Sequence, residues 1–171
     1  MLTEFNLYSF EYICLNMREV DRVEVFGMLH HDSALQLAYE YAYVIRNKGR
    51  SRIAWSERTK KPAGFAAFTE DWPGMWSVWM FGTDDFKDCA VELLRWFRKE
   101  ANDILSVCQG RRLQCDSRFD HDEAHKMLKA FGAVEESRLR GYGKDGADYI
   151  RFVWINGEND AVLKPHYVRA A

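Results

Sequence analysis

The stretch from Phe86 to Cys108 constrains the fold of this chain more than any other. Phe86, Ala90, Leu93, Leu94, Phe97, Ala101, Ile104, Leu105 and Cys108 recur at helical spacing, while Asp88, Glu92, Arg95, Lys99, Asn102 and Asp103 fall on the opposite side. Apolar residues at i, i+4, i+7 and i+8 make one continuous stripe on a helix, so a long amphipathic helix with one buried face is predicted here. The run before it, residues 75–81, and the run after it, residues 112–115, read as strands. A strand, a helix and a strand in that order form a crossover, which returns the second strand parallel to the first.

The remaining elements arrange themselves around that unit. Residues 52–57, 64–69 and 75–81 are strand-like and are separated by Lys60-Lys61-Pro62 and by Asp71-Trp72-Pro73-Gly74, which predicts an antiparallel meander. In its last strand Trp76, Val78 and Met80 alternate with Ser77, Trp79 and Phe81. Both faces are apolar, so this strand is expected to be central and covered on both sides. Ahead of the meander, residues 10–15 read as a first strand and residues 18–28 as a short helix ended by Gly27. Residues 34–45 read as a second helix, capped by Asp32 or Ser33 and closed by Gly49. Behind the long helix, an Asp120-x-x-Glu123 pattern predicts a capped helix with Ala124, Met127, Leu128 and Phe131 on its apolar face and Gly132 at its end. Residues 138–142 and 149–155 read as two strands joined by the loop Gly143-Lys-Asp-Gly146. The order is β-α-α-β-β-β-α-β-α-β-β. It predicts one α/β (α+β) domain over residues 1–155, with a mixed, mostly antiparallel sheet, a central β-α-β crossover and helices on both faces. Residues 156–171 show no period and read as a tail.

Composition narrows the classes of function. The 171 residues carry 24 Lys and Arg against 26 Asp and Glu, a net charge of -2, which excludes a general nucleic-acid coat. Residues 46–61 hold Arg46, Lys48, Arg50, Arg52, Arg58, Lys60 and Lys61, and they read as a solvated helix end and hairpin loop rather than a nucleic-acid site. No apolar run approaches the ~20 residues of a membrane span, and Met-Leu-Thr-Glu-Phe-Asn at the N-terminus has neither a basic nor an apolar signal region. Cys14, Cys89, Cys108 and Cys115 form no CxxC pair and read as free thiols. His121 and His125 stand four apart, the spacing of a helical zinc site, but Asp122 follows the first His where a metalloprotease needs Glu. His30-His31 is a loop pair with no third ligand in view, so no metal is expected. Aromatic residues make up 15% of the chain, six Trp, eight Tyr and eleven Phe among them, which calls for a core or a surface built from large rings.

Ala124-His-Lys-Met-Leu-Lys-Ala-Phe-Gly-Ala133 resembles the second motif of the GCN5-related N-acetyltransferase (GNAT) superfamily, with Ala124 and Gly132 at the motif's spacing. Arg18-x-x-Asp21-x-x-Glu24 opens the first helix as in many members. Trp76-Ser-Val-Trp79, Met127-Leu-Lys-Ala-Phe-Gly-Ala-Val-Glu135 and Gly143-Lys-Asp-Gly146 resemble the GNAT-like internal virion proteins of short-tailed phages, a likeness covering about residues 75–155. The resemblance implies a GNAT fold and a pocket where the fourth and fifth strands part. If the chain is active, it implies acetyl-CoA as cofactor, held by Trp79, Phe81, Gly82, Thr83 and Lys87, with His121 as acid or base.

The chain departs from that pattern where the chemistry sits. The family's Gly-rich phosphate loop is here Gly82-Thr-Asp-Asp-Phe-Lys-Asp88, with one Gly and with Asp84, Asp85 and Asp88 where a diphosphate would bind. Leu128 replaces the Tyr that protonates the leaving thiolate, and His121 replaces an Asn. The resemblance and its departures together imply a phage-encoded accessory or internal virion protein that acts by protein contacts, without robust acetyl-CoA turnover and with no cofactor expected. The alternatives are an active N-acetyltransferase acting on an amine of a host protein or small molecule, and a phage inhibitor that binds a host protein. The partners implied are virion or host proteins, and the expected place is the host cytoplasm or the virion.

Overall fold

The computed structural model describes residues 1–157. The elements are β1 (Leu2–Thr3), α1 (Leu7–Leu15), α2 (Glu19–Gly27), α3 (Ala34–Lys48), β2 (Gly49–Trp55), β3 (Pro62–Trp72), β4 (Met75–Gly82), α4 (Ala90–Ser106), β5 (Arg112–Arg118), α5 (Asp122–Ala130), β6 (Val134–Leu139) and β7 (Tyr149–Ile155). The strands form one seven-stranded sheet in the order β1-β2-β3-β4-β5-β7-β6. Every pairing is antiparallel except β4 with β5, which the α4 crossover makes parallel. The tail expected from residue 156 lies, beyond Gly157, outside the described residues; Asn156 itself donates its side-chain amide to the carbonyls of Leu105 and Gly110.

The alternation of β4 divides the core in two. Trp76 and Val78 join Phe68, Leu93, Phe97, Leu113, Phe152 and Trp154 under α4 and α5. Phe81 joins Phe10, Ile13, Phe26, Leu37, Phe65 and Ala67 under α1, α2 and α3, with Trp79 packed alongside. Burying a large apolar side chain is worth about 1.5–3 kcal/mol, so a strand covered on both faces is the natural keystone of the sheet.

Four expectations are corrected. Residues 10–15 are helical, not a strand: Phe10, Ile13 and Cys14 are buried at i, i+3 and i+4, and Asn6 caps α1 by accepting the Ser9 N–H. The helix expected from Phe86 begins as a tight 3-10 turn, Asp84–Asp88, and α4 proper starts at Ala90. The Asp120–Glu123 capping box does not form; His121 is the residue before α5, and Asp120 instead accepts from Arg118 Nε at 3.1 Å. The strand expected at 138–142 lies earlier, at Val134–Leu139. Gly141 turns the chain at φ +61° and donates its N–H to Asp148 Oδ1, which ends the ladder.

Candidate functional site

The parallel ladder between β4 and β5 is short. It joins Met75–Ser77 to Arg112–Gln114 and then stops, although β4 stays paired with β3 up to Gly82 and β5 with β7 up to Arg118. The two strands therefore part toward their C-terminal ends. A cavity of about 360 Å³ passes through the gap. Leu94, Phe97, Met127, Leu128 and Phe131 wall it on the α4–α5 side, and Glu24, Met28, Leu29, Tyr41, Trp79 and Phe81 on the other. Thr83 donates its N–H to Ala63 of β3, so by the strand's alternation Gly82 and Met80 turn their backbone groups toward the gap.

Helix α2 bridges the tips of the parted strands. Asp21 Oδ2 accepts the Gly82 N–H of β4 at 2.8 Å and Arg18 Nε at 2.6 Å, and the Arg18 N–H donates to the Gly82 carbonyl at 2.9 Å. Three residues on, Glu24 Oε2 accepts the Arg118 N–H of β5 at 2.7 Å and the Ser117 hydroxyl at 2.8 Å, and pairs with His121 Nδ1 at 3.0 Å. Spacing of i, i+3 puts both carboxylates on one face of the helix. Tyr149 adds a hydroxyl bond to the Glu24 carbonyl at 2.8 Å.

These contacts set the electrostatics. Burial opposes charge on His121, but the Glu24 hydrogen bond and the charges of Glu24 and Asp21 outweigh it and hold the imidazole above its usual range. Burial also raises the Asp21 carboxyl, against the Arg18 bond that lowers it. Cys115 lines the cavity from β5, and desolvation pushes its thiol well above the usual range. His125 packs on the Phe152 ring at 5.1 Å, and burial lowers its imidazole below the usual range.

Of the residues singled out from the sequence, Trp79 and Phe81 line the cavity. Gly82 and Thr83 are buried at the gap's closed end, Lys87 is exposed on the turn beyond, and His121 reaches the cavity only through Glu24. The sequence presents Asp21 and Glu24 only as the opening of a helix; their i, i+3 spacing from Arg18 is the available signal. Four of the seven basic residues in the stretch are paired: Arg50 with Glu100 and Asp103, Arg52 with Glu4, Arg58 with Asp85 and Asp88, and Lys60 with Glu57.

The 3-10 turn after β4 spends most of its own amides inside the protein, while the first amides of α4 carry no side-chain cap. A phosphate cradle needs several free amides converging at a helix start. Here the Gly82 and Thr83 amides go to Asp21 and Ala63, the Asp85 and Phe86 amides go to Thr83, and the Cys89 amide goes to Phe86. A Cβ added at Gly82 would lie 2.5 Å from the Ala63 carbonyl and from the Phe86 ring, so no room remains beside it. The Asp85 and Asp88 carboxylates lie on the same turn, held by Thr59 and Arg58 and by Ser56 and Arg58.

No protein-family model matches the chain, and no curated protein matches it at a significant level. Solved structures match it over nearly its whole length. A ribosomal-protein-alanine N-acetyltransferase from Brucella melitensis superposes with a TM-score of 0.70 at 13% identity, covering 91% of this chain and 99% of its own. A spermidine N-acetyltransferase from Vibrio cholerae, solved with CoA and spermine, gives 0.69 at 13% identity, covering 91% and 95%. An acetyltransferase from T. thermophilus gives 0.69 at 14% identity, covering 95% and 88%. The chain has the GNAT acetyltransferase fold.

Proposed function

We propose that this protein uses the acetyltransferase fold for contact rather than for acetyl transfer, as an accessory or internal virion protein of a phage. The observation that carries the reading is the turn after β4, whose amides at Gly82, Thr83, Asp85, Phe86 and Cys89 are already bonded within the protein beside three aspartates. Leu128 in place of a hydroxyl acid supports the same conclusion. The likeness of residues 75–155 to phage virion proteins supports the setting.

A titration with acetyl-CoA tests it. A ligand at about 100 times its Kd stabilises the folded state by ~2.7 kcal/mol. No thermal shift is expected at millimolar acetyl-CoA, and micromolar binding overturns the reading. Mass spectrometry of purified virions tests the setting, since absence from the particle removes the virion role.

One observation favours an active N-acetyltransferase acting on an amine of a host protein or small molecule. The gap between β4 and β5 is open, and Glu24 stands in its wall with His121 behind it. In that reading Glu24 and His121 hold a proton that an amine can give up. The same titration decides between the two.

A further inference from the structure

We propose that His30, His31 and Glu40 form a binding site for a zinc-class divalent cation in the loop that follows the cleft residues Met28 and Leu29. The sequence shows two adjacent histidines in the loop after α2 and nothing to complete them. The fold lays α3 against that loop and brings Glu40 in as a third group. One ligand atom from each of the three residues lies within 4.8 Å of the others.

The lone pairs already converge on a donor. Glu40 Oε2 pairs with His31 Nε2 at 3.3 Å. The Gln36 side-chain nitrogen, one turn earlier on α3, donates to Glu40 Oε1 at 2.7 Å and stands 3.5 Å from His30 Nε2. An amide nitrogen thus sits between a carboxylate and an imidazole, the place a cation would take. Two imidazoles and one carboxylate suit zinc and its neighbours over calcium or magnesium, which prefer oxygen, and three protein ligands leave a fourth position for water. A tetrahedral ion with bonds of about 2.0–2.1 Å holds its ligand atoms roughly 3.3 Å apart, the separation His31 Nε2 and Glu40 Oε2 already have, so the third ligand has to move in. His30 and Glu40 are exposed and free to close, while the His31 side chain is 9% exposed and fixed.

Binding carries a signature at one backbone amide. The Ser33 N–H donates to His31 Nδ1 at 3.1 Å, so the neutral ring keeps its proton on Nε2. A metal at Nε2 requires that proton on Nδ1, and the Ser33 bond must then break. The loop is otherwise pinned, with Lys144 Nζ on Asp32 at 2.6 Å. Met28 and Leu29, just ahead of the histidines, line the cavity, so the ion would brace that wall.

The test uses tag-free protein titrated with Zn²⁺ by calorimetry and with Co²⁺ by visible absorption. Saturable one-to-one binding is expected, with displacement of the Ser33 amide resonance. His31→Ala and Glu40→Gln should each weaken binding by about tenfold or more, on the scale of lost metal-site partners. Gln36→Ala removes the competing donor and should bind at least as tightly as the wild type. The proposal fails if the wild type shows no Co²⁺ spectrum, if His31→Ala binds as the wild type does, or if Gln36→Ala loses the ion.

Discussion

Two neighbouring parts of β4 meet opposite fates on the same edge. Beyond Ser77 its ladder with β5 ends, and Trp79 and Met80 face a cavity. At Gly82 the same edge is fully used, with the amide on Asp21 and the carbonyl on Arg18. The difference is the reach of α2. Its carboxylates at Asp21 and Glu24 each take an amide from a different strand tip, so bonds that could have zipped β4 to β5 are made to the helix instead. The gap is flanked by a helix that satisfies the two strand tips separately.

The most damaging way to break this arrangement is Asp21→Ala. Asp21 is 2% exposed and accepts from both the Gly82 amide and the Arg18 guanidinium. Its removal leaves a buried amide and a half-buried cation unpaired, which costs about 3 kcal/mol by comparison with other broken buried pairs. Urea denaturation measures this directly. Asp21→Asn keeps an acceptor and should cost less, because burial already disfavours the Asp21 charge. A loss below about 1 kcal/mol for Asp21→Ala would mean that the β4 tip is held by its β3 pairing alone.

Glu24→Gln tests the other tip and comes next in size, at about 2 kcal/mol for charge-assisted bonds weakened by the swap. It also carries a pH dependence. His121 has its folded pKa above its ordinary value near 6.5. The stability it contributes is therefore complete below about pH 6.5 and fades as pH rises through the folded value. Removing the Glu24 charge removes the main support of the raised pKa and leaves burial to lower it. The stability gap between wild type and Glu24→Gln should be wider at pH 6 than at pH 8, and the imidazole resonance of His121 should titrate lower in the variant. An equal gap at both pH values would show that His121 and Glu24 do not share a proton.

Much of this arrangement was legible in the sequence, and what was not has a physical cause. The crossover was readable because α4 repeats its apolar spacing along its whole length and because β4 alternates cleanly; the parting of the strands was implied only by the family resemblance. Residues 10–15 misled because Phe10, Ile13 and Cys14 fit helical spacing as well as a short apolar strand does, and the decisive signal was the cap at Asn6. The role of α2 could not be read, since i, i+3 carboxylates on a helix are ordinary on a solvated face. Only the fold decides that Asp21 is buried against Gly82 while Glu19, two residues earlier, stays in water. Glu40 was invisible as a partner of His30-His31 for the same reason: nine residues separate it from His31, and α3's placement closes that distance.

The smallest effect is expected on the outer side of the closed turn, at Arg58→Ala. Arg58 bonds Asp85 at 2.6 Å and Asp88 at 3.2 Å, but its side chain is 66% exposed, and ion pairs in water add little to stability. Thr59 also bonds Asp85, and Ser56 bonds Asp88, so both carboxylates keep a partner when Arg58 is gone. The melting temperature should stay within error of the wild type. On the proposed non-catalytic reading acetyl-CoA should remain unbound, since the Gly82 and Thr83 amides stay on Asp21 and Ala63. If Arg58→Ala instead gains micromolar affinity for acetyl-CoA, the closure depends on an outer latch, and the contrast between the open gap and the closed turn becomes a difference in a single surface contact.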